Sequence, residues 1–113
     1  MKYVLLFGGT MEPEERAKNA EMAAAYERIE KWFDEYGRAG KIIGGHELKG
    51  PHTATTVRFK DGKPMVVDGP FIEAKEVIGG YAELEVADLD EALEIAKTWP
   101  GMSSVEVRPI VEN

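Results

Sequence analysis

Cysteine is absent from this chain, and histidine occurs twice, at His46 and His52. Without cysteine there can be no disulfide, no thiolate metal site and no thiol nucleophile. His46, Glu47, His52 and Asp68 supply ligand types for a metal. The spacing of the two histidines matches no helical or hairpin metal pattern, however, so no metal is expected. Basic residues are in the minority, 14 against 21 acidic ones for a net charge of −7. They are scattered among the acids, which argues against nucleic acid as a direct ligand. No apolar run approaches the length of a membrane span. The run Tyr3-Val4-Leu5-Leu6-Phe7 is too short for a signal-peptide core, ends in glycines, and reads as a strand; a soluble protein with no membrane partner is expected. There is no serine nucleophile motif and no phosphate loop. Gly8-Gly9 follows a strand but lacks the third glycine of a dinucleotide fingerprint, so ATP and NAD chemistry is disfavoured and no cofactor is expected.

What is present fits one domain over residues 1–113, with 43% hydrophobic and 31% charged residues. Tyr3, Leu5 and Phe7 alternate with Val4 and Leu6, so both faces of the first strand are apolar and both require cover. Helices can cover one face, and in so short a chain a second subunit is the natural cover for the other. From Pro13 the pattern turns helical, with Met22, Tyr26, Ile29, Phe33 and Tyr36 forming a core stripe, Trp32 at its edge, and Gly37 and Gly40 at its end. A strand around Lys41 to Leu48 follows, and then Thr53 to Phe59, rich in β-branched residues. Asp61-Gly62 predicts a hairpin between that strand and Pro64-Met65-Val66-Val67, with the loop length left open by Lys60 and Lys63. Gly80 to Val86 reads as a strand with Ala82, Leu84 and Val86 on one face and Tyr81, Glu83 and Glu85 on the other. Asp88 and Glu91 form a capping-box-like pair before a helix carrying Leu89, Ala92, Leu93 and Ala96. Trp99-Pro100-Gly101 stops that helix, and Val105 to Arg108 form a last strand. Two strand-helix-strand units with an inserted hairpin predict an α+β, ferredoxin-like layer of two helices on an antiparallel sheet.

Polar chemistry concentrates in Val67-Asp68-Gly69-Pro70-Phe71-Ile72-Glu73-Ala74-Lys75-Glu76. Glycine followed by proline marks a sharp bend that holds Asp68 and Phe71 in place. An aspartate before glycine commonly caps its own turn, which is the structural alternative to a functional carboxylate. Arg58, on the strand before the motif, and Lys75, just after it, are candidate anion clamps; salt bridges to Glu73, Glu76 or Asp68 are the alternative for both. Phe71 reads as a hydrophobic anchor that also walls a pocket. His52 sits in a loop and reads as solvated.

Ala54-Thr55-Thr56-Val57-Arg58, Asp68-Gly69-Pro70-Phe71, Glu73-Ala74-Lys75-Glu76, Gly79-Gly80-Tyr81 and Val105-Glu106-Val107-Arg108-Pro109 occur in the order expected of the DGPF-domain branch of the YCII-related family, which this chain resembles. The opening Met1 to Leu6 and the pair Gly44-Gly45 extend the resemblance over nearly the full length. The resemblance implies a cytoplasmic, ferredoxin-like domain that dimerises through its sheets in a dimeric α/β-barrel-type assembly. It also implies a histidine and an aspartate facing a shared pocket, which matches Asp68 and points to His46, although many relatives carry another residue there. Two functions stay open. One is cofactor-free acid/base catalysis on a small organic acid or lactone by Asp68 and His46, with Arg58, Phe71 and Lys75 binding the substrate. The other is a non-catalytic dimeric module that binds a small ligand or regulatory partner, linked to sigma-factor-type transcription regulation as the setting of some relatives suggests.

Overall fold

A computed structural model describes residues 1–9, 20–70, 77–101 and 104–112. Its elements are β1 (Lys2–Gly9), α1 (Ala20–Arg38), β2 (Ile42–Glu47), a 3-10 turn (Pro51–Thr53), β3 (Thr55–Lys60), β4 (Lys63–Asp68), β5 (Val77–Glu85), α2 (Leu89–Lys97) and β6 (Val105–Pro109). Four strands form one antiparallel sheet in the order β2-β5-β1-β6, while β3 and β4 pair only with each other. The units β1-α1-β2 and β5-α2-β6 therefore interlock, each placing one strand between the two of the other. This is the α+β, ferredoxin-like arrangement expected, with the hairpin set apart from the sheet.

Alternation along β1 and β5 decides which face the helices cover. Leu5 lies opposite Ala82 on one side and Val107 on the other. Leu5, Ala82 and Leu84 are fully buried, and Ala92 and Ile95 of α2 and Trp32 of α1 join the same core. Trp32 is thus central, correcting its expected place at the edge of the stripe. Its ring makes edge contacts with Phe7, Phe33, Tyr36 and Trp99, and Phe7 stacks on Trp99 at a centroid distance of 3.8 Å. The indole Nε1 donates to Thr98 Oγ1 at 2.8 Å, so the buried polar atom is satisfied. In α2 it is Ile95, with Ala92, that is buried, while Leu89 is exposed.

Both helix boundaries named from sequence have a local cause. Past α1 the Lys41 N–H donates to the Tyr36 carbonyl at 2.9 Å and the Gly40 N–H to Gly37 at 3.1 Å, the paired bonds of a Schellman motif. Asp88 caps α2 by accepting from the Glu91 N–H at 2.9 Å. Glu91 reaches back to the Ala87 N–H at 2.9 Å and takes the Lys41 ammonium at 3.2 Å. The Ala87 bond first, and then Lys41, hold the Glu91 carboxyl below its ordinary value. A depressed carboxyl pKa contributes stability that is complete above the unfolded value and is lost as pH falls through the folded one. Wild type should therefore melt above Glu91→Gln at neutral pH, with the gap closing as the solution is acidified below the ordinary glutamate range. A gap in melting temperature that stays constant down to strongly acid pH would show that the carboxylate charge contributes nothing.

No helix of the described structure is long and apolar enough to cross a membrane.

Candidate functional site

The Asp61-Gly62 turn settles the hairpin's loop. Both residues have positive φ, 53° and 78°, and Lys60 pairs with Lys63, so the loop has two residues and the twist of a type I′ turn. Its ladder carries Asp68 to the end of β4 opposite Thr55. At the start of the bend beyond it, the backbone of Gly69 is tied to β3 and the residue before it. The Gly69 N–H donates to the Ala54 carbonyl at 2.9 Å, and the Gly69 carbonyl accepts from Thr56 Oγ1 at 2.5 Å. Gly69 has φ 98°, a conformation that an L side chain resists. Asp68 is exposed, and no hydrogen bond or ion pair joins its carboxylate to another described residue. The backbone N–H groups that a turn cap by Asp68 would use lie beyond Pro70, outside the described residues.

The same ladder separates two residues that sequence placed together. Thr55, Val57, Phe59, Pro64, Val66 and Asp68 share one face of the ribbon, whereas Thr56, Arg58, Lys60, Lys63, Met65 and Val67 share the other. Arg58 thus projects from the face opposite Asp68, across from Met65. Phe71 and Lys75 lie outside the described residues, as do Glu73 and Glu76.

His46 belongs to the other sheet. It lies on β2 opposite Tyr81 of β5, with their ring centroids 6.1 Å apart. Tyr81 in turn pairs with Leu6, and Leu6 with Glu106. These residues occupy the sheet face that the helices leave uncovered, with Val4, Glu83 and Arg108 beside them. His46 is exposed, and Val4, Leu6, Tyr81 and Glu83 are half-buried. Neighbouring Glu47 turns to the helix side and accepts the Tyr26 hydroxyl. Asp68 and His46 thus stand on separate sheets, and no hydrogen bond joins them among the described residues. Tyr81 as the neighbour of His46 was missed from sequence. Its alternation with Ala82 gave its face, but its partner depends on a register that only the folded sheet sets. His52 lies exposed in the 3-10 turn. No three His, Asp or Glu side chains converge to hold a metal among the described residues.

A four-stranded antiparallel sheet with helices on one face, an open opposite face and an inserted hairpin ending in Asp-Gly-Pro defines the class of domain. The model of the YCII-related domain matches residues 1–113, and the chain belongs to that family. It is also similar to an uncharacterised protein of Rhizobium meliloti (strain 1021), 39% identical over 79 residues, a match that covers 66% of this chain and 64% of the relative. The chain thus spans less than two thirds of that relative's length.

Proposed function

We propose that this protein, of the DGPF-domain branch of its family, is a cytoplasmic homodimer that performs cofactor-free acid/base chemistry on a small organic acid or lactone. The observation that carries this reading is the exposed Asp68 carboxylate at the end of β4, next to a Gly69 whose backbone is bonded to Ala54 and Thr56. His46, on the open sheet face beside Tyr81, is the second proton-transfer group. Phe71 and Lys75, which follow Asp68 in the same motif, bind the anionic substrate, and Arg58 acts as a further clamp from the opposite face of the ribbon. One protomer leaves both Asp68 and His46 exposed, so a water-poor pocket needs a further surface over them. The second subunit is that surface. The exposed apolar hairpin favours a second reading, a non-catalytic dimeric module that binds a small ligand or a regulatory partner.

A thermal-shift screen of small organic acids and lactones against wild type and Asp68→Asn tests the proposal. A cognate ligand at a hundred times its dissociation constant contributes about 2.7 kcal/mol to wild-type stability and is expected to leave Asp68→Asn unshifted. Equal shifts in both proteins would remove Asp68 from the site. If no compound acts and Asp68→Asn melts several degrees below wild type, the motif is a structural turn.

A further inference from the structure

We infer that the outer edge of β3 is a docking edge for an extended, acidic segment of a partner protein, which joins the β3–β4 ribbon as its third strand. The inference goes beyond the reading above and does not depend on its chemistry. The register of the ribbon shows which backbone groups are spare. Lys60 pairs with Lys63 across the two-residue turn, and at the far end the Gly69 N–H donates to the Ala54 carbonyl. Hydrogen-bonded pairs alternate along an antiparallel ladder, so they are Lys60 with Lys63, Arg58 with Met65 and Thr56 with Val67. Pro64, which has no N–H to donate, falls in one of the intervening pairs, as this phase requires. The N–H and C=O groups of Thr55, Val57 and Phe59 therefore point away from β4, and none of them bonds to another described residue. On the opposite edge Pro64 offers no donor and sets its ring where a neighbouring strand would lie.

A two-stranded ribbon is marginal in water, and a third strand supplies the support it lacks. An open trough runs along β3, lined by every residue of that strand and by Met65 of β4. Its two flanks differ in chemistry. Val57 and Phe59 are exposed on one face, with Pro64 and Val66 beside them. Thr56, Arg58 and Lys60 stand on the other with Lys63, and neither strand places an acid on that face. A strand added to β3 thus meets apolar groups at alternate positions and cations between them. Alternating apolar and acidic residues satisfy both flanks, and an acid placed there also relieves the like-charge pair that Lys60 and Lys63 form across the ribbon. A second copy does not fit this edge: pairing β3 with β3 about a two-fold axis gathers both sets of Arg58, Lys60 and Lys63 on one face.

Short synthetic peptides, added to the intact protein and followed by NMR titration and amide hydrogen exchange, test this. A peptide alternating glutamate and valine is expected to bind about 10-fold more tightly than its lysine–valine counterpart, and Lys60→Glu/Lys63→Glu should reverse that preference. Binding should slow exchange at the Thr55, Val57 and Phe59 amides and leave those of Val66 and Asp68 unchanged. With its valines on the Val57 face, the peptide aims its valine amides at β3, so methylating those amides should abolish binding and methylating the glutamate amides should not. That control needs no change to the protein. A glutamate–valine peptide that fails to bind at millimolar concentration, or that binds without protecting the three β3 amides, would overturn the docking edge. Equal affinities for the acidic and basic peptides would overturn the acidic character of the partner. Protection of the same amides that grows with protein concentration in the absence of peptide would overturn the foreign partner and give the edge to a second copy.

Discussion

Gly45→Ala is expected to destabilise the protein by about 3–5 kcal/mol, a large part of the roughly 5–15 kcal/mol that holds a domain of this size together. Gly45 has φ 151° on β2, where an added Cβ would stand 2.5 Å from the Tyr81 carbonyl oxygen and 2.9 Å from the Ala82 Cα. Both obstacles are backbone of the adjoining strand. They can retreat only by opening the β2–β5 ladder, and Phe33 at 3.3 Å blocks the remaining direction. The neighbouring glycine is the control. A Cβ on Gly44 would meet nothing nearer than the flexible end of Glu83 at 3.8 Å, so Gly44→Ala should change stability by less than about 1 kcal/mol. Urea denaturation of the pair decides the matter: equal midpoints would mean that the close approach of β2 to β5 does not require glycine.

Trp32→Ala is expected to cost a similar amount, about 3–5 kcal/mol. The side chain is 5% exposed and stands among Phe7, Phe33, Tyr36 and Trp99, from three separate parts of the chain, so the surrounding groups cannot close the space by moving one element. Trp32→Phe keeps most of the packing and loses the bond to Thr98, whose hydroxyl still donates to the Ile95 carbonyl at 2.6 Å; its cost should stay near 1–2 kcal/mol. A Trp32→Ala variant that unfolds within about 1 kcal/mol of wild type would show that the aromatic cluster is not the keystone of the α1 side of the core.

Short-range signals accounted for most elements. Alternation in Tyr3 to Phe7 and in Gly80 to Val86 gave both central strands with their faces. Asp88 with Glu91 gave the start of α2, and Asp61-Gly62 gave the hairpin. Each is a chemical requirement met within four residues. The central place of Trp32 was not legible, because it depends on Trp99 arriving from the far end of the chain, and a helical stripe does not say where along its width the partner will sit. For the site, the Asp68 turn was visible because glycine and proline announce it. The opposition of Arg58 and Asp68 across the ribbon needed the register of β3 on β4. The placement of Asp68 and His46 on separate sheets needed to know which strands the hairpin fails to join. Spacing along a chain fixes neither.

The position of β1 inside the sheet also governs when the domain can be made. Leu5 pairs with Ala82 and with Val107, and Tyr3 with Pro109, so β1 is bordered on both sides by strands that are synthesised long after it. Closing loops of that length is slow, and the alternating apolar faces of β1 have no sheet partner until then. During synthesis the nascent chain can form α1 and the β3–β4 hairpin, which are local, but not its core. The apolar β1 is therefore the segment most exposed to chaperone capture or aggregation before β5 and β6 appear.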